Sequence, residues 1–318
     1  MLTVLLDRGS MDRGDLDFSA LERVSPAWRS HDSTEEADVA ERIADAAVVI
    51  SNKVRLDDAA LQGASHLRLI CISATGTNHV DLDAAKRCGI AVCNVRRYAT
   101  PSVVQHVFAL MLALSTRLPD YSRAVGEGRW QRGAQFCLLD YPIHEVAGKT
   151  LGIVGYGELG QAVARVAEAF GMRIMVAQRP GAPATPGRVS LHELLPQVDV
   201  LSIHCPLTPE TRGLIGVKEL ALMRPNALLL NTARGGIVDE AALADALRAA
   251  RLGGAGVDVL SEEPPVYDNP LLAHDVPNLI VTPHIAWASV EARQRLVDEV
   301  AENISAFLSG VEERNRVV

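Results

Sequence analysis

Cysteine is scarce and scattered in this 318-residue chain. Cys71, Cys88, Cys93, Cys137 and Cys205 are odd in number and form no CxxC pair, which leaves neither a disulfide framework nor a dithiol redox motif. They read as reduced, mostly packed thiols in a cytoplasmic protein. No His, Asp or Glu cluster has ligand spacing, so no metal is expected. The opening MLTVLLDRGSMDRGD lacks a basic region followed by a long apolar core, so no signal peptide is expected. The longest notable apolar run, 107–114, is too short to span a bilayer. Positive charge is in deficit: 31 Lys and Arg against 39 Asp and Glu give −8. Nucleic acid and anionic membrane are therefore not expected partners, and an anionic substrate must be drawn by local positive charge.

What is present is an ordinary globular composition, 48% hydrophobic and 22% charged, in a chain long enough for two domains. Its centre is TLGIVGYGELGQAVARVAEAFGMRIMVAQR, residues 150–179. An apolar run, 151–154, is followed by Gly155, Gly157 and Gly160, then apolar residues at helical spacing, then a second apolar run, 173–177. Strand, glycine turn, helix and strand in this order are the context of a dinucleotide fingerprint. The first glycine permits a tight turn, the second lets backbone approach a pyrophosphate, and the third lets helix pack on strand. The helix N-terminus offers N–H groups and a positive dipole end. At the end of the second strand, where an acid would bind the adenosine ribose, stand Gln178 and Arg179. Gln can still hydrogen-bond a ribose hydroxyl, and Arg179 can pair with a 2′-phosphate, so relaxed or NADPH-leaning coenzyme use is expected.

Elsewhere short apolar runs alternate with helical patterns, which predicts α/β structure with parallel sheets on both sides of the fingerprint. S-T-E-E at 33–36 predicts a capping box with a helix from Thr34. Two small-residue loops follow strands, Ser51-Asn52-Lys53 and Ser73 to Asn78, where open sheets bind ligands. Thr100 and Pro101 begin a long buried helix. Residues 130–140 are irregular and read either as an arm to a partner subunit or as a surface loop.

Three polar residues directly follow later strands: Arg234, Glu263 and His284. Singly they could be a loop cation, an exposed acid and a core histidine. Together beside a dinucleotide site they fit hydride transfer to a 2-keto acid. Arginine pairs with the carboxylate and carbonyl. Histidine protonates the carbonyl oxygen near neutral pH. A carboxylate orients the imidazole and favours its charged form.

The segments GYGELG, HCPLTPETRGLIG, LLLNTARGGIVDEAAL, AGVDVLSEEPP and NLIVTPHIAWAS, with SATGTNHVDLDAA and YATPSVVQHVFALMLAL, resemble the D-isomer-specific 2-hydroxyacid dehydrogenase family across nearly the whole chain. The resemblance implies two Rossmann-like or flavodoxin-like α/β domains and usually a homodimer. A coenzyme domain, 99–285, would be inserted into a discontinuous substrate domain, 1–98 and 286–318. It implies Arg234, Glu263 and His284 as catalytic residues. Coenzyme contacts would come from Gly155, Gly157, Glu158, Leu159, Gly160, Gln178, Arg179, Thr100, Val104, Cys205, Pro206, Thr211, Thr232, Ala233, Asp258 and Ala286. Substrate contacts would come from Asn52, Thr75, Gly76, Arg234 and His284. Within the family, NLIVTPHIAWASVEARQRLVDEVAENI, ERIADAAVVISNKV and VAQRPGAP resemble bacterial glycerate dehydrogenases, or hydroxypyruvate reductases, which reduce hydroxypyruvate to D-glycerate and often glyoxylate to glycolate. Phosphoglycerate dehydrogenase and broad D-lactate-type activity are the alternatives, and an NAD(H)-sensing corepressor a remote one. Trp287 stands where many relatives have Gly, suiting a small substrate, and Gln105 replaces a commoner Glu.

Overall fold

The computed structural model of the protein describes residues 1–265, 268–311 and 315–318. The chain runs β1 (Leu2–Leu5), α1 (Ser19–Val24), β2 (Ala27–Ser30), α2 (Val39–Ile43), β3 (Val48–Ser51), α3 (Asp58–Gly63), β4 (Leu69–Ile72), α4 (Leu82–Arg87) and β5 (Ala91–Cys93). It continues with α5 (Thr100–Thr116), α6 (Leu118–Gly126), β6 (Thr150–Val154), α7 (Glu158–Ala169), β7 (Arg173–Ala177), β8 (Arg188–Val189), α8 (Leu191–Leu194) and β9 (Val200–Ile203). Then come α9 (Val217–Leu222), β10 (Leu228–Asn231), α10 (Glu240–Arg248), β11 (Gly254–Val257), β12 (Leu279–Val281) and α11 (Val290–Leu308). Two compact units result: Met1–Ala99 with Trp287–Val318, and Thr100–Ala286.

The first unit holds a parallel sheet in the order β2-β1-β3-β4-β5. VVIS and LICI are buried at every position because alternate side chains enter cores on opposite faces. Val49, Ile70 and Ile72 pack with Val39, Ile43 and Leu61 on one face. Val48, Ile50 and Leu69 pack with Leu296, Val300 and Ile304 of α11 on the other. Burial on both faces is what makes such strands read as unbroken apolar runs. Asp57 and Asp81 accept the Ala60 and Ala84 N–H groups and start α3 and α4, a cap typically worth ~1 kcal/mol.

The capping box expected at Ser33 does not form. The Thr34 hydroxyl donates to the Leu6 carbonyl at 2.5 Å and Arg42 donates to the Ser33 carbonyl. Those groups tie the segment to the end of β1, and the helix proper begins at Val39 after a single tight turn at Glu36–Asp38.

The second unit holds a seven-stranded parallel sheet, β12-β11-β10-β9-β6-β7-β8. The strand order reverses between β6 and β9, and open sheets of this kind bind ligands outside the carboxyl ends of the strands at that point. Helix α5 buries Val103, Val104, Val107, Leu110 and Met111. It lies close to β11 because Gly256 has no side chain: a Cβ there would stand 3.0 Å from Leu110. Among the described residues no helix is long and apolar enough to cross a membrane.

Candidate active site

The glycine turn follows β6 at the strand-order reversal. Gly155 has φ +94°, and a Cβ on it would stand 2.5 Å from the Cys205 nitrogen, just past β9. A Cβ on Gly160 would run into the Gly155 carbonyl oxygen. Packing therefore demands both glycines. Gly157 differs: nothing lies within 4 Å of its missing side chain. It is the N-cap of α7 and no side chain caps that helix, so its positive dipole end is left for an anionic group. On the neighbouring strand ends, Thr232 Oγ1 and His204 Nδ1 are buried without a protein partner, which a polar ligand would satisfy. These features fit a dinucleotide.

The surrounding side chains are largely committed to shaping that rim. Glu158 accepts the Thr100 hydroxyl at 2.5 Å, Leu159 is half-buried on α7 and Val104 is buried on α5. Thr211 donates to the Pro206 carbonyl and accepts the Thr208 N–H, each at 2.7 Å, closing the loop after β9. Burial holds the Cys205 thiol above its ordinary range and brings His204 down to about 4. Neither a thiolate nor an imidazolium is supplied there at neutral pH. Gln178 does not point outward: its amide donates to the Ala182 and Pro183 carbonyls at 3.3 and 2.6 Å and accepts the Thr185 N–H. It braces its own loop, leaving exposed Arg179 beyond it. Arg188 lies over the ring of Tyr156, within the glycine turn, at 6.0 Å.

Arg234, Glu263 and His284 follow β10, β11 and β12, which are neighbours in the sheet. His284 Nδ1 lies 2.6 Å from Glu263 Oε2, and Glu263 Oε1 accepts the Leu260 N–H at 2.9 Å. An ionised carboxylate only accepts, so Nδ1 carries hydrogen and Nε2 is the nitrogen left for a reactant. Both side chains are part-exposed, 28% and 34%. Arg234 donates to the Ala233 carbonyl at 2.7 Å, Asn231 donates to the Arg234 carbonyl, and the Ala233 N–H returns to Asn231. The loops after β10 and β11 touch at Gly235, where a Cβ would overlap the Leu260 backbone.

His284 itself has φ +53°, a left-handed conformation costing ~1–3 kcal/mol for such a residue. Asp258, 1% exposed, holds it. Its carboxylate accepts the N–H groups of Ile285 and Ala286, both at 2.9 Å, and its carbonyl accepts that of His284 at 2.8 Å.

In the other unit, Asn52 and the loop 73–78 follow β3 and β4. Asn52 is 4% exposed and gives its amide to Ser10 Oγ at 2.9 Å. The Thr75 hydroxyl donates to the Val95 carbonyl at 2.8 Å, and Gly76 is half-buried beside it. Asp7, which sequence reasoning passed over, anchors the first loop. Its carboxylate accepts the Asn52 and Lys53 N–H groups at 2.9 and 2.7 Å, and burial raises its pKa. An acid directly after the first strand was the available signal. Gly235, His106 and Thr282 were also missed, since each matters only through a contact distant in sequence.

The model of the D-isomer specific 2-hydroxyacid dehydrogenase, NAD binding domain, matches residues 108–286. A glycerate dehydrogenase of Methylorubrum extorquens is 44% identical over 308 residues, 96% of each chain. A hydroxypyruvate reductase of Blautia hydrogenotrophica is 38% identical over 316 residues, 98% of each. The solved structure of the TT0316 protein of Thermus thermophilus superposes with a TM-score of 0.88 at 36% identity, covering all of both chains. Fold and relatives together define an NAD(P)-dependent oxidoreductase. The chain belongs to the D-isomer specific 2-hydroxyacid dehydrogenase family.

Proposed function

We propose that this protein reduces a small 2-keto acid to its D-2-hydroxy acid, chiefly hydroxypyruvate to D-glycerate, with glyoxylate to glycolate as a second reaction. The observation that carries the chemistry is the 2.6 Å contact between His284 Nδ1 and Glu263, on the same sheet whose β6 leads into the open glycine turn. The substrate is inferred from the glycerate dehydrogenase and hydroxypyruvate reductase relatives.

When bound, the reduced nicotinamide supplies a hydride to the keto carbon. His284 Nε2 gives a proton to the carbonyl oxygen, while Nδ1–H stays hydrogen-bonded to Glu263, which fixes the ring. Arg234 pairs with the substrate carboxylate and polarises the carbonyl. Thr75 and Gly76 contribute through backbone N–H groups, since the Thr75 hydroxyl is spent on Val95; Asn52, whose backbone N–H is held by Asp7 and whose amide donates one hydrogen to Ser10, contributes through the second amide hydrogen. Residues 99–285 serve as the coenzyme domain, and 1–98 with 286–318 as the substrate domain. Of the coenzyme contacts, Gly157 and the start of α7 receive the pyrophosphate. NADPH is accepted alongside NADH because Gln178 carries no charge to repel a 2′-phosphate and Arg179 attracts one.

Initial rates with NADH and NADPH against hydroxypyruvate, glyoxylate, pyruvate and 3-phosphohydroxypyruvate test this. Hydroxypyruvate is expected to give the highest kcat/KM, and Arg179→Ala to lower kcat/KM for NADPH about tenfold with little change for NADH. A phosphorylated substrate preferred over hydroxypyruvate would overturn the assignment.

The protein acts as a homodimer in the cytoplasm. Leu118, Trp130, Phe136, Leu139 and Ile143 are 62%, 49%, 89%, 80% and 55% exposed, an apolar surface on one stretch of chain that a second copy would cover. None of the five cysteines forms a disulfide. Sedimentation is expected to show a dimer that Phe136→Asp with Leu139→Asp converts to monomer; a wild-type monomer would contradict this.

A further inference from the structure

We infer that His106, acting through Thr282 and Asp258, is a positioning residue that fixes the backbone presenting His284. The inference rests on the proposed role of His284 in proton transfer.

The chain of contacts lies within one unit. Thr282 has a single hydroxyl proton, and Oγ1 lies 2.5 Å from Asp258 Oδ1, so the proton goes there. The Thr282 oxygen must then accept from His106 Nε2 at 2.9 Å, which assigns hydrogen to Nε2 of His106. The same nitrogen stands 3.5 Å from Asp258 Oδ1. Asp258 Oδ1 thereby accepts the Thr282 hydroxyl with His106 behind it. The same oxygen accepts the Ile285 N–H, Oδ2 that of Ala286, and the Asp258 carbonyl that of His284, three consecutive N–H groups. One turn earlier on α5, Ser102 donates to the Ala286 carbonyl at 2.7 Å. Helix α5 thus grips the turn from both ends.

The turn needs that grip. His284 sits at φ +53°, where a non-glycine residue persists only if its surroundings over-determine it. Without the His106 donor, the Thr282 hydroxyl is free to rotate away, and Asp258 Oδ1 loses a charge-assisted bond. The left-handed turn then relaxes, and the imidazole leaves its 2.6 Å contact with Glu263. A displacement of about 1 Å at a reacting group is enough to cost on the order of 10²-fold in rate.

The test compares His106→Leu with His106→Gln in the full chain. Glutamine offers a donor near the position of Nε2; leucine offers none. The primary readout is independent of catalysis: imidazole ¹⁵N resonances of histidine-labelled protein, with the His284 signals assigned by their loss in His284→Asn. In His106→Leu the His284 Nδ1–H pattern is expected to collapse to an average of both tautomers, while His106→Gln keeps it. The second readout is kcat for hydroxypyruvate, expected to fall about 10–100-fold in His106→Leu and to stay within about threefold in His106→Gln, with KM for the coenzyme within about twofold in both. Should His106→Leu fail to fold, Thr282→Val against Thr282→Ser applies the same comparison, valine behaving as leucine and serine as glutamine. An unchanged His284 pattern in the variant lacking the donor overturns the inference, as does equal loss in the paired variants. If the wild-type protein reduces no keto acid but the His284 pattern collapses as described, the positioning role stands and the substrate reading fails.

Discussion

Replacing His284 with asparagine is expected to lower kcat for 2-keto-acid reduction about 10²–10⁴-fold, the usual value of a positioned acid–base group. Asparagine is the informative replacement. His284 occupies φ +53°, and asparagine enters that region more readily than most residues, so the turn held by Asp258 survives while the titratable nitrogen is lost. Coenzyme affinity should change little, because the glycine turn and α7 are untouched. Glu263→Gln should cost less than His284→Asn, since an amide oxygen can still accept from Nδ1–H and hold the ring. Steady-state kinetics with coenzyme binding followed by fluorescence check both. Residual kcat within tenfold of wild type in His284→Asn would remove His284 from the proton-transfer role.

Gly235→Ala is expected to cost ~3 kcal/mol or more of stability together with most of the activity. Overpacking usually costs ~1–3 kcal/mol because side chains give way. Here the added Cβ would meet the carbonyl oxygen and carbon of Leu260 and the nitrogen of Ser261, all backbone. The loop carrying Arg234 and the loop carrying Glu263 would have to part. Gly157→Ala is the control: with nothing within 4 Å of the new methyl, it should unfold like wild type yet bind coenzyme more weakly. Denaturant midpoints for the two variants decide the matter, and a Gly235→Ala protein as stable and active as wild type would show that the loops need no such approach.

The parallel strands were legible in the sequence because burial on both faces leaves runs such as 48–51 and 69–72 apolar throughout. The glycine turn was legible because three backbone requirements fall within six residues. Some short elements were not. The two-residue β8 and six-residue α9 carry too few positions to show a period, and α6 buries only Ala124. The Ser33 capping box looked right locally and lost to a long-range competitor, the Leu6 carbonyl that takes the Thr34 hydroxyl. At the candidate site the sequence named Arg234, Glu263 and His284 as residues following strands. It could not show that Gln178 turns back on its own loop, nor that Asp258 spends both carboxylate oxygens on the turn after β12. Both facts depend on where the chain returns, and residue type does not encode that.

The most direct single measurement is the amount and configuration of the product formed from hydroxypyruvate for each coenzyme oxidised. One equivalent of D-glycerate per NADH or NADPH is the expected result, because the chain belongs to a D-isomer specific family and His284 is the proposed proton donor. L-glycerate, or coenzyme oxidation without glycerate, would contradict the proposed reaction.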